Sequence, residues 1–141
     1  MKIKTADLIG PALDWAVGTA LELPVEICQV FQYGRPNGEH YISIGETDND
    51  GAEVTFEPSE EWSQGGPIIE WEGINLFKHN KLNESLPDVW CAHKVVPRPN
   101  MEGSFNSCAL ALDGPTPLIA AMRCLVAATL GDEVEIPEEL L

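Results

Sequence analysis

A stretch beginning at Trp62 combines side chains that suit recognition of a nucleobase. Trp62 offers a flat aromatic face, and stacking of a base on such a face is worth about 1–3 kcal/mol. Gln64 offers an amide for the edge of a base, and Ser63 adds a hydroxyl. Gly65 and Gly66 lack a Cβ and so permit close approach of the backbone. This stretch is predicted to contact a ligand, the alternative being a compact loop whose Trp62 fills the core.

A second candidate site lies where a helix begins after Asp113 and Gly114. The backbone N–H groups of Leu118 and Ile119, together with the Thr116 hydroxyl, can hold a phosphate there with help from the helix dipole. Two prolines in this stretch remove donors, so it is not a glycine-rich phosphate loop. The alternative is that Thr116 caps its own helix and that nothing binds.

The few cations of this acidic chain are the natural counter-ions for a phosphate. Arg123 is the only charge inside the apolar helix that follows Thr116, and a buried arginine must be paired. Asp14 and Glu70 are the predicted partners. If neither carboxylate binds it, Arg123 becomes a candidate phosphate ligand, and the other candidates are Arg35, Lys94 and Arg98.

Metal-ion and hydrolytic chemistry are not expected. Cys91 and His93 alternate on a predicted strand and share a face, but a structural zinc site would also need two distant residues such as His79 and Cys108. A Cys91 nucleophile with His93 as base is no better supported, because strand neighbours on one face need not be in contact. The chain has no Walker-type loop and no recognisable triad motif. We therefore expect no catalytic residue and no cofactor.

The second candidate site opens a segment, residues 117–130, that is predicted to form one buried helix. Thr116 is a good N-cap, Pro117 fits the first helical position, and Gly131 can take the left-handed C′ conformation after the last turn. Its faces are almost entirely apolar, so a sheet or a partner subunit must cover it. If the ligand pocket lies between two subunits, this helix is the candidate interface of a homodimer.

The remaining pattern predicts a single α+β domain over residues 1–141. A second helix is predicted to open at Gly10 and to end before Pro24. Turn residues predict hairpins at 35–38 and 48–51, and residues 58–73 are predicted to be irregular. The predicted architecture is a mostly antiparallel sheet of about five or six short strands with two main helices on one face.

The charge balance excludes a nucleic-acid polymer as a partner. The chain has 23 acidic and 8 basic residues, giving a net charge of −15 that repels a phosphate backbone. The carboxylates either keep the protein soluble or imitate DNA toward a DNA-binding partner. Neither a membrane span nor a signal peptide is apparent, so a cytoplasmic location is expected. The two acidic blocks are Glu46, Asp48, Asp50, Glu53, Glu57, Glu60 and Glu61, and Asp132, Glu133, Glu135, Glu138 and Glu139.

Three sets of motifs occur together in this sequence: residues 1–8 with 12–17, residues 62–70 with 72–74, and residues 113–123 with 130–134 and 137–140. Together they resemble the NinX-like family of small phage and prophage proteins, a domain of unknown function. The resemblance spans nearly the whole chain, and residues 34–57 and 78–107 depart from the family pattern. It implies a phage accessory protein that acts in bacterial cytoplasm, and it transfers no catalytic residue.

Together these observations predict a binding protein. The hypothesis is a homodimeric phage protein that sequesters a small nucleotide-derived ligand, such as a host immune signalling molecule, without turning it over. Trp62 would stack on a base that Gln64 reads, while Leu118, Ile119 and Arg123 would hold phosphate. The alternative is an acidic interaction module or DNA mimic that inhibits a host nucleic-acid-binding factor.

Overall fold

Helices and antiparallel strands are mixed along the chain, which confirms the α+β class. The computed structural model describes residues 1–79, 83–97 and 107–141. Within them the α-helices are α1 (Gly10–Ala20), α2 (Trp62–Glu72) and α3 (Pro117–Leu130). The strands are β1 (Lys2–Lys4), β2 (Glu26–Gln32), β3 (Arg35–Ser43), β4 (Asn75–Lys78), β5 (Trp90–Pro97), β6 (Ser107–Gly114) and β7 (Glu133–Glu135). None of the helices in these residues is long and apolar enough to span a membrane.

Helix α3 is the centre of the core, as its sequence predicts. Its residues Ala120, Met122 and Val126 have no exposed surface, and it packs against β5, β6 and α1. The chain's own sheet and helix therefore cover α3. The predicted use of this helix as a subunit interface is wrong, because its apolar faces are already buried within one protomer.

The start of α3 is fixed by the predicted cap. The Thr116 hydroxyl accepts a hydrogen bond of 3.1 Å from the Ile119 N–H. Pro117 occupies the first turn, where a missing N–H costs nothing. Gly131 ends the helix as predicted, but its φ of 97° and ψ of −170° differ from the left-handed helical conformation that the sequence suggested. The caps written in the sequence thus set the bounds of this helix.

Removing the cap hydroxyl is expected to weaken the fold measurably. Thr116→Ala leaves the Ile119 N–H without its acceptor, and we expect a loss of about 1 kcal/mol in the free energy of unfolding. Thr116→Ser keeps the hydroxyl and is the matched control. Urea unfolding of both variants measures the difference, and equal stabilities would show that the cap contributes nothing.

The strands form three small antiparallel sheets rather than one. The largest has the order β4-β5-β6, while β2 pairs with β3 and β1 pairs with β7. In the part of the chain that the structure describes, there are seven strands and three α-helices, where the sequence predicted about five or six strands and two main helices. Along the chain, α2 and the loop before it separate β3 from β4, and the β2–β3 hairpin does not pair with the β4–β6 ladder.

The sequence predicted that residues 58–73 are irregular, but the structure has helix α2 in this range. Two glycines and Pro67 argue against a helix by local propensity, yet the chain is helical from Trp62 to Glu72 and ends at Gly73 in the left-handed conformation. Pro67 removes a bond to the carbonyl of residue 63, which lies on the exposed side and can be hydrated. Tertiary packing on α3 supplies the stability that propensity lacks.

The first hairpin turns three residues earlier than predicted, at residues 32–35 instead of 35–38. Gln32 pairs with Arg35, so Tyr33 and Gly34 form the turn, with φ values of 53° and 76°. Gly38, at a φ of 88°, instead lies in a bulge of β3 that shifts the register. The second hairpin, at residues 48–51, is confirmed: the Asp48 carboxylate accepts N–H bonds from Asp50 and Ala52.

Candidate functional site

The two predicted halves of the ligand site meet as packed helices. A Cβ built on Gly65 would lie 2.4 Å from the Pro58 carbonyl oxygen and 2.6 Å from Leu118 Cδ2. The groups that approach the Gly65 backbone closely are therefore Pro58 and Leu118 of the protein itself, where the sequence predicted a ligand. Gly65 is buried in this contact and has no surface to offer a ligand.

The Gln64 amide is engaged within the chain. Its Nε2 donates to the Thr55 carbonyl at 2.8 Å, and its Oε1 accepts from the Glu57 N–H at 2.7 Å. These two bonds attach the segment before α2 to the helix itself. Reading a base with Gln64 would require breaking them, so the structure gives this side chain a structural role that its sequence context does not reveal.

The start of α3 is likewise occupied by its own chain. Thr116 caps Ile119, and the side chains of Leu118 and Ile119 are 3% and 7% exposed. Gly114 is buried, and a Cβ built there would lie 2.6 Å from the Ala120 backbone nitrogen. These contacts match the alternative prediction, in which Thr116 caps its own helix.

Trp62 and its neighbours remain open to solvent. The side chain of Trp62 is 55% exposed, so it does not fill the core as the alternative prediction supposed. Ser63 is exposed, and no atom lies within 4 Å of a Cβ built on Gly66. Trp71, at the other end of α2, is 89% exposed. Both ends of this helix therefore present an aromatic ring to solvent.

Arg123 donates to two backbone carbonyls. Its Nε reaches Leu8 at 2.8 Å and its Nη1 reaches Asp113 at 2.9 Å. Burial lowers its pKa, and the nearby Asp7 carboxylate opposes that shift. The predicted pairing with Asp14 or Glu70 is wrong, because the carbonyls lie nearer the guanidinium in the fold than either carboxylate predicted from sequence.

A cleft of about 710 Å³ opens beside Arg123. Asp113 and Gly114 line it together with apolar groups that include Val89 and Leu112. Ala6 lines it from the turn that precedes α1. Two of the ten predicted site residues, Gly114 and Arg123, therefore face this cleft.

A second cavity, of about 260 Å³, is lined by two other predicted site residues. Ser63 and Gln64 line it with apolar side chains such as Leu23, Phe56 and Ile68. Neither this cavity nor the Arg123 cleft draws lining residues from both predicted halves. The structure thus divides four of the candidate residues between two cavities, while Gly65 and Leu118 join the two halves by packing on each other.

A third cavity surrounds a buried carboxyl that sequence reasoning treated only as a partner for arginine. Asp14 is 3% exposed and accepts the Ser59 N–H at 2.9 Å. Burial raises its pKa from 3.8 to about 7, against the lowering effect of the Ser59 hydrogen bond. The cavity has a volume of about 130 Å³, and His40 and Glu60 also line it.

Three strands bring together side chains that lie far apart in sequence. Donor atoms of His79, Cys91 and Asp113 all lie within 4.8 Å of one another. Burial raises the pKa of the Cys91 thiol, and the Asp113 carboxylate raises it further. The sequence prediction considered Cys91 with His93, and the cross-strand register that joins it to Asp113 could not be read from local pattern.

A family model described as bacteriophage P22, NinX matches residues 4–129 of the chain. The matched region includes all three helices up to Thr129, and it also includes the Arg123 cleft and its lining residues. No match was found among curated proteins.

Proposed function

Because this chain belongs to the NinX family of phage proteins, we propose that it binds a small nucleotide-derived ligand and holds it without turnover. The ligand would be a host immune signalling molecule, sequestered in the cytoplasm of the infected bacterium. The site would be the cleft beside Arg123. Any homodimer would form through a surface other than α3.

The observation that carries this proposal is the size and lining of the Arg123 cleft. Its volume of about 710 Å³ falls within the range of about 300–1,000 Å³ found for small-molecule sites. Val89, Leu112 and Pro115 supply apolar walls for a base or a sugar. The combination of apolar walls with one cation suits a ligand that has a flat apolar part and an anionic part.

Arg123 is held in place for anion binding. A guanidinium carries five N–H donors, so bonds to the Leu8 and Asp113 carbonyls leave three for a ligand. A planar guanidinium matches phosphate oxygens better than a lysine does, and its orientation here is fixed before a ligand arrives. The Asp113 carboxylate, which is 64% exposed at the cleft, can accept hydrogen bonds from ribose hydroxyls or base N–H groups.

A thermal-shift series with linear and cyclic mono- and dinucleotides tests the proposal. A ligand at 100 times its dissociation constant stabilises the native state by about 2.7 kcal/mol, which raises the melting temperature by roughly 5–10 °C. Ala6→Trp fills the cleft from an exposed position and is expected to abolish the shift. Ala52→Trp, on the exposed second hairpin, is the matched control and should leave the shift unchanged.

Recovery of the ligand separates binding from catalysis. After incubation and denaturation, chromatography should return the nucleotide chemically unchanged. If the nucleotide is recovered in a chemically altered form, the protein is an enzyme and the proposal of sequestration without turnover is wrong. A series in which no nucleotide raises the melting temperature of the unmodified protein would contradict the proposal.

The exposure of the acidic blocks favours one alternative, an acidic interaction module or DNA mimic. Every carboxylate of the two blocks is exposed except Glu57. Such a surface presents an array of negative charge to a basic partner. In that case, neutralising the 46–61 block would abolish inhibition of a host DNA-binding factor, while nucleotides would have no effect on stability.

A further inference from the structure

We propose that His79, Cys91 and Asp113 bind a divalent transition-metal ion, with zinc as the preferred metal. The proposal rests on the geometry of the sheet β4-β5-β6, and one of its three ligands, Asp113, also lines the nucleotide cleft. It revises the sequence-based expectation that the chain has no metal site.

The backbone ladder fixes the positions of the three ligands. Cys91 pairs with Asp113 across β5 and β6, and it pairs with Phe77 on β4. His79 lies two residues beyond Phe77, and its N–H donates to the Val89 carbonyl at 2.9 Å. Because alternate residues of a strand share a face, the ligands meet on one side of the sheet, the side opposite α3.

The separations between donor atoms fit a single ion. The His79 Nε2 lies 3.5 Å from an Asp113 carboxylate oxygen, and the Cys91 Sγ completes a group within 4.8 Å. Ligands bound at about 2.0–2.3 Å in a tetrahedron lie roughly 3–4 Å apart. Small rotations of the exposed side chains would bring the donor atoms, now within 4.8 Å of one another, to these separations.

The chemistry of the donors selects the class of metal. One imidazole nitrogen, one thiolate and one carboxylate oxygen form a borderline-soft set that zinc prefers, whereas calcium and magnesium prefer oxygen alone. Three protein ligands are also the number found in zinc sites that keep a fourth position for water or substrate. This set therefore describes an open zinc site more closely than a closed structural one.

The exposure of two of the ligand side chains and the net charge of the protein favour binding of a metal ion from solvent. Cys91 is 5% exposed, whereas the side chains of His79 and Asp113 are 48% and 64% exposed. The net charge of −15 raises the local concentration of cations. Arg123 binds the backbone carbonyl of Asp113, which leaves the carboxylate to face His79 and Cys91.

Phe77 lies beside two histidines on this face of the sheet. Its ring lies 5.7 Å from the ring of His79 and 4.9 Å, edge to face, from the ring of His93. His93 is therefore the neighbouring imidazole that could bind the metal ion in place of His79, and the experiment includes a His93 variant.

Cobalt(II) titration of the metal-free, untagged protein tests the site. A tetrahedral site with a thiolate gives d–d absorption and a sulfur-to-cobalt charge-transfer band, and both should saturate at one equivalent and disappear on addition of zinc. Cys91→Ser should remove the charge-transfer band, and His79→Gln and Asp113→Asn should each weaken binding by at least about tenfold.

Matched substitutions elsewhere decide whether the signal belongs to this cluster. Cys28→Ser changes a half-buried cysteine on β2, and His93→Gln changes the adjacent imidazole, and both should leave the spectrum and affinity unchanged. Circular dichroism confirms that each variant is folded. The proposal is overturned if the unmodified protein gives no tetrahedral spectrum, or if the spectrum persists in Cys91→Ser. A signal lost with His93→Gln but kept with His79→Gln would also overturn this ligand set.

Discussion

Asp14→Asn is expected to stabilise the protein at pH 8 while leaving its stability nearly unchanged below pH 4. The pKa of Asp14 is raised from 3.8 to about 7 in the folded protein, chiefly by burial. Asparagine has nearly the same shape and keeps an oxygen that can accept the Ser59 N–H. It cannot ionise, so it removes the cost of a buried charge.

The direction of the effect follows from proton linkage. Well below pH 3.8 Asp14 is protonated in both the folded and the unfolded chain, and its contribution to stability is fully present. As pH rises toward 7 the unfolded chain loses the proton first, so the free energy of unfolding falls. The shift corresponds to a total loss of about 4 kcal/mol, of which about 3 kcal/mol falls between pH 5 and pH 8.

Urea unfolding of both proteins between pH 5 and pH 8 measures this difference. The lower limit keeps the experiment above the isoelectric point of about 4.3. Glu60→Gln is the matched control, because Glu60 lines the same cavity but is exposed; we expect it to change stability by no more than about 0.5 kcal/mol. Parallel stability curves for Asp14→Asn and the unmodified protein would show that Asp14 titrates normally.

Gly65→Ala is expected to lower the free energy of unfolding by about 3 kcal/mol. The added methyl group would lie 2.4 Å from the Pro58 carbonyl oxygen and 2.6 Å from Leu118 Cδ2. Leu118 can move slightly, but the Pro58 oxygen belongs to the backbone, so α2 must shift away from α3. Overpacking of this kind typically costs 1–3 kcal/mol, and a backbone clash lies at the upper end. The melting temperature should fall by roughly 6–12 °C.

The neighbouring glycine supplies the control. No atom lies within 4 Å of a Cβ at Gly66, so Gly66→Ala should be neutral or stabilise α2 by up to about 1 kcal/mol. Both substitutions bring the same helix propensity, so their difference in stability isolates the contact between α2 and α3. Similar melting temperatures for the two variants would contradict close packing at Gly65.

The motifs that resemble the NinX family hold the fold together through contacts between one another. Gly65 of the second motif packs on Leu118 of the third, and Arg123 of the third donates to Leu8 of the first. Gln64 attaches α2 to the segment before it. A sequence pattern alone does not distinguish such a contact from a ligand contact, because both select small or polar residues at fixed positions.

Local information in the sequence determined α3. Its cap at Thr116, its proline at the first turn and its apolar faces act over a few residues, and they predict both its bounds and its burial. The second hairpin, at residues 48–51, is local in the same sense, because Asp48 binds N–H groups within four residues of itself.

Only the tertiary structure decided the form of α2 and the grouping of the site residues. Local propensity opposes a helix from Trp62 to Glu72, and packing against α3 outweighs it. Cys91 meets His79 and Asp113 through strand register, and Arg123 finds Leu8 across 115 positions of sequence. These partners are chosen by how the elements dock, since the energy of a contact between distant residues has no local signature along the chain.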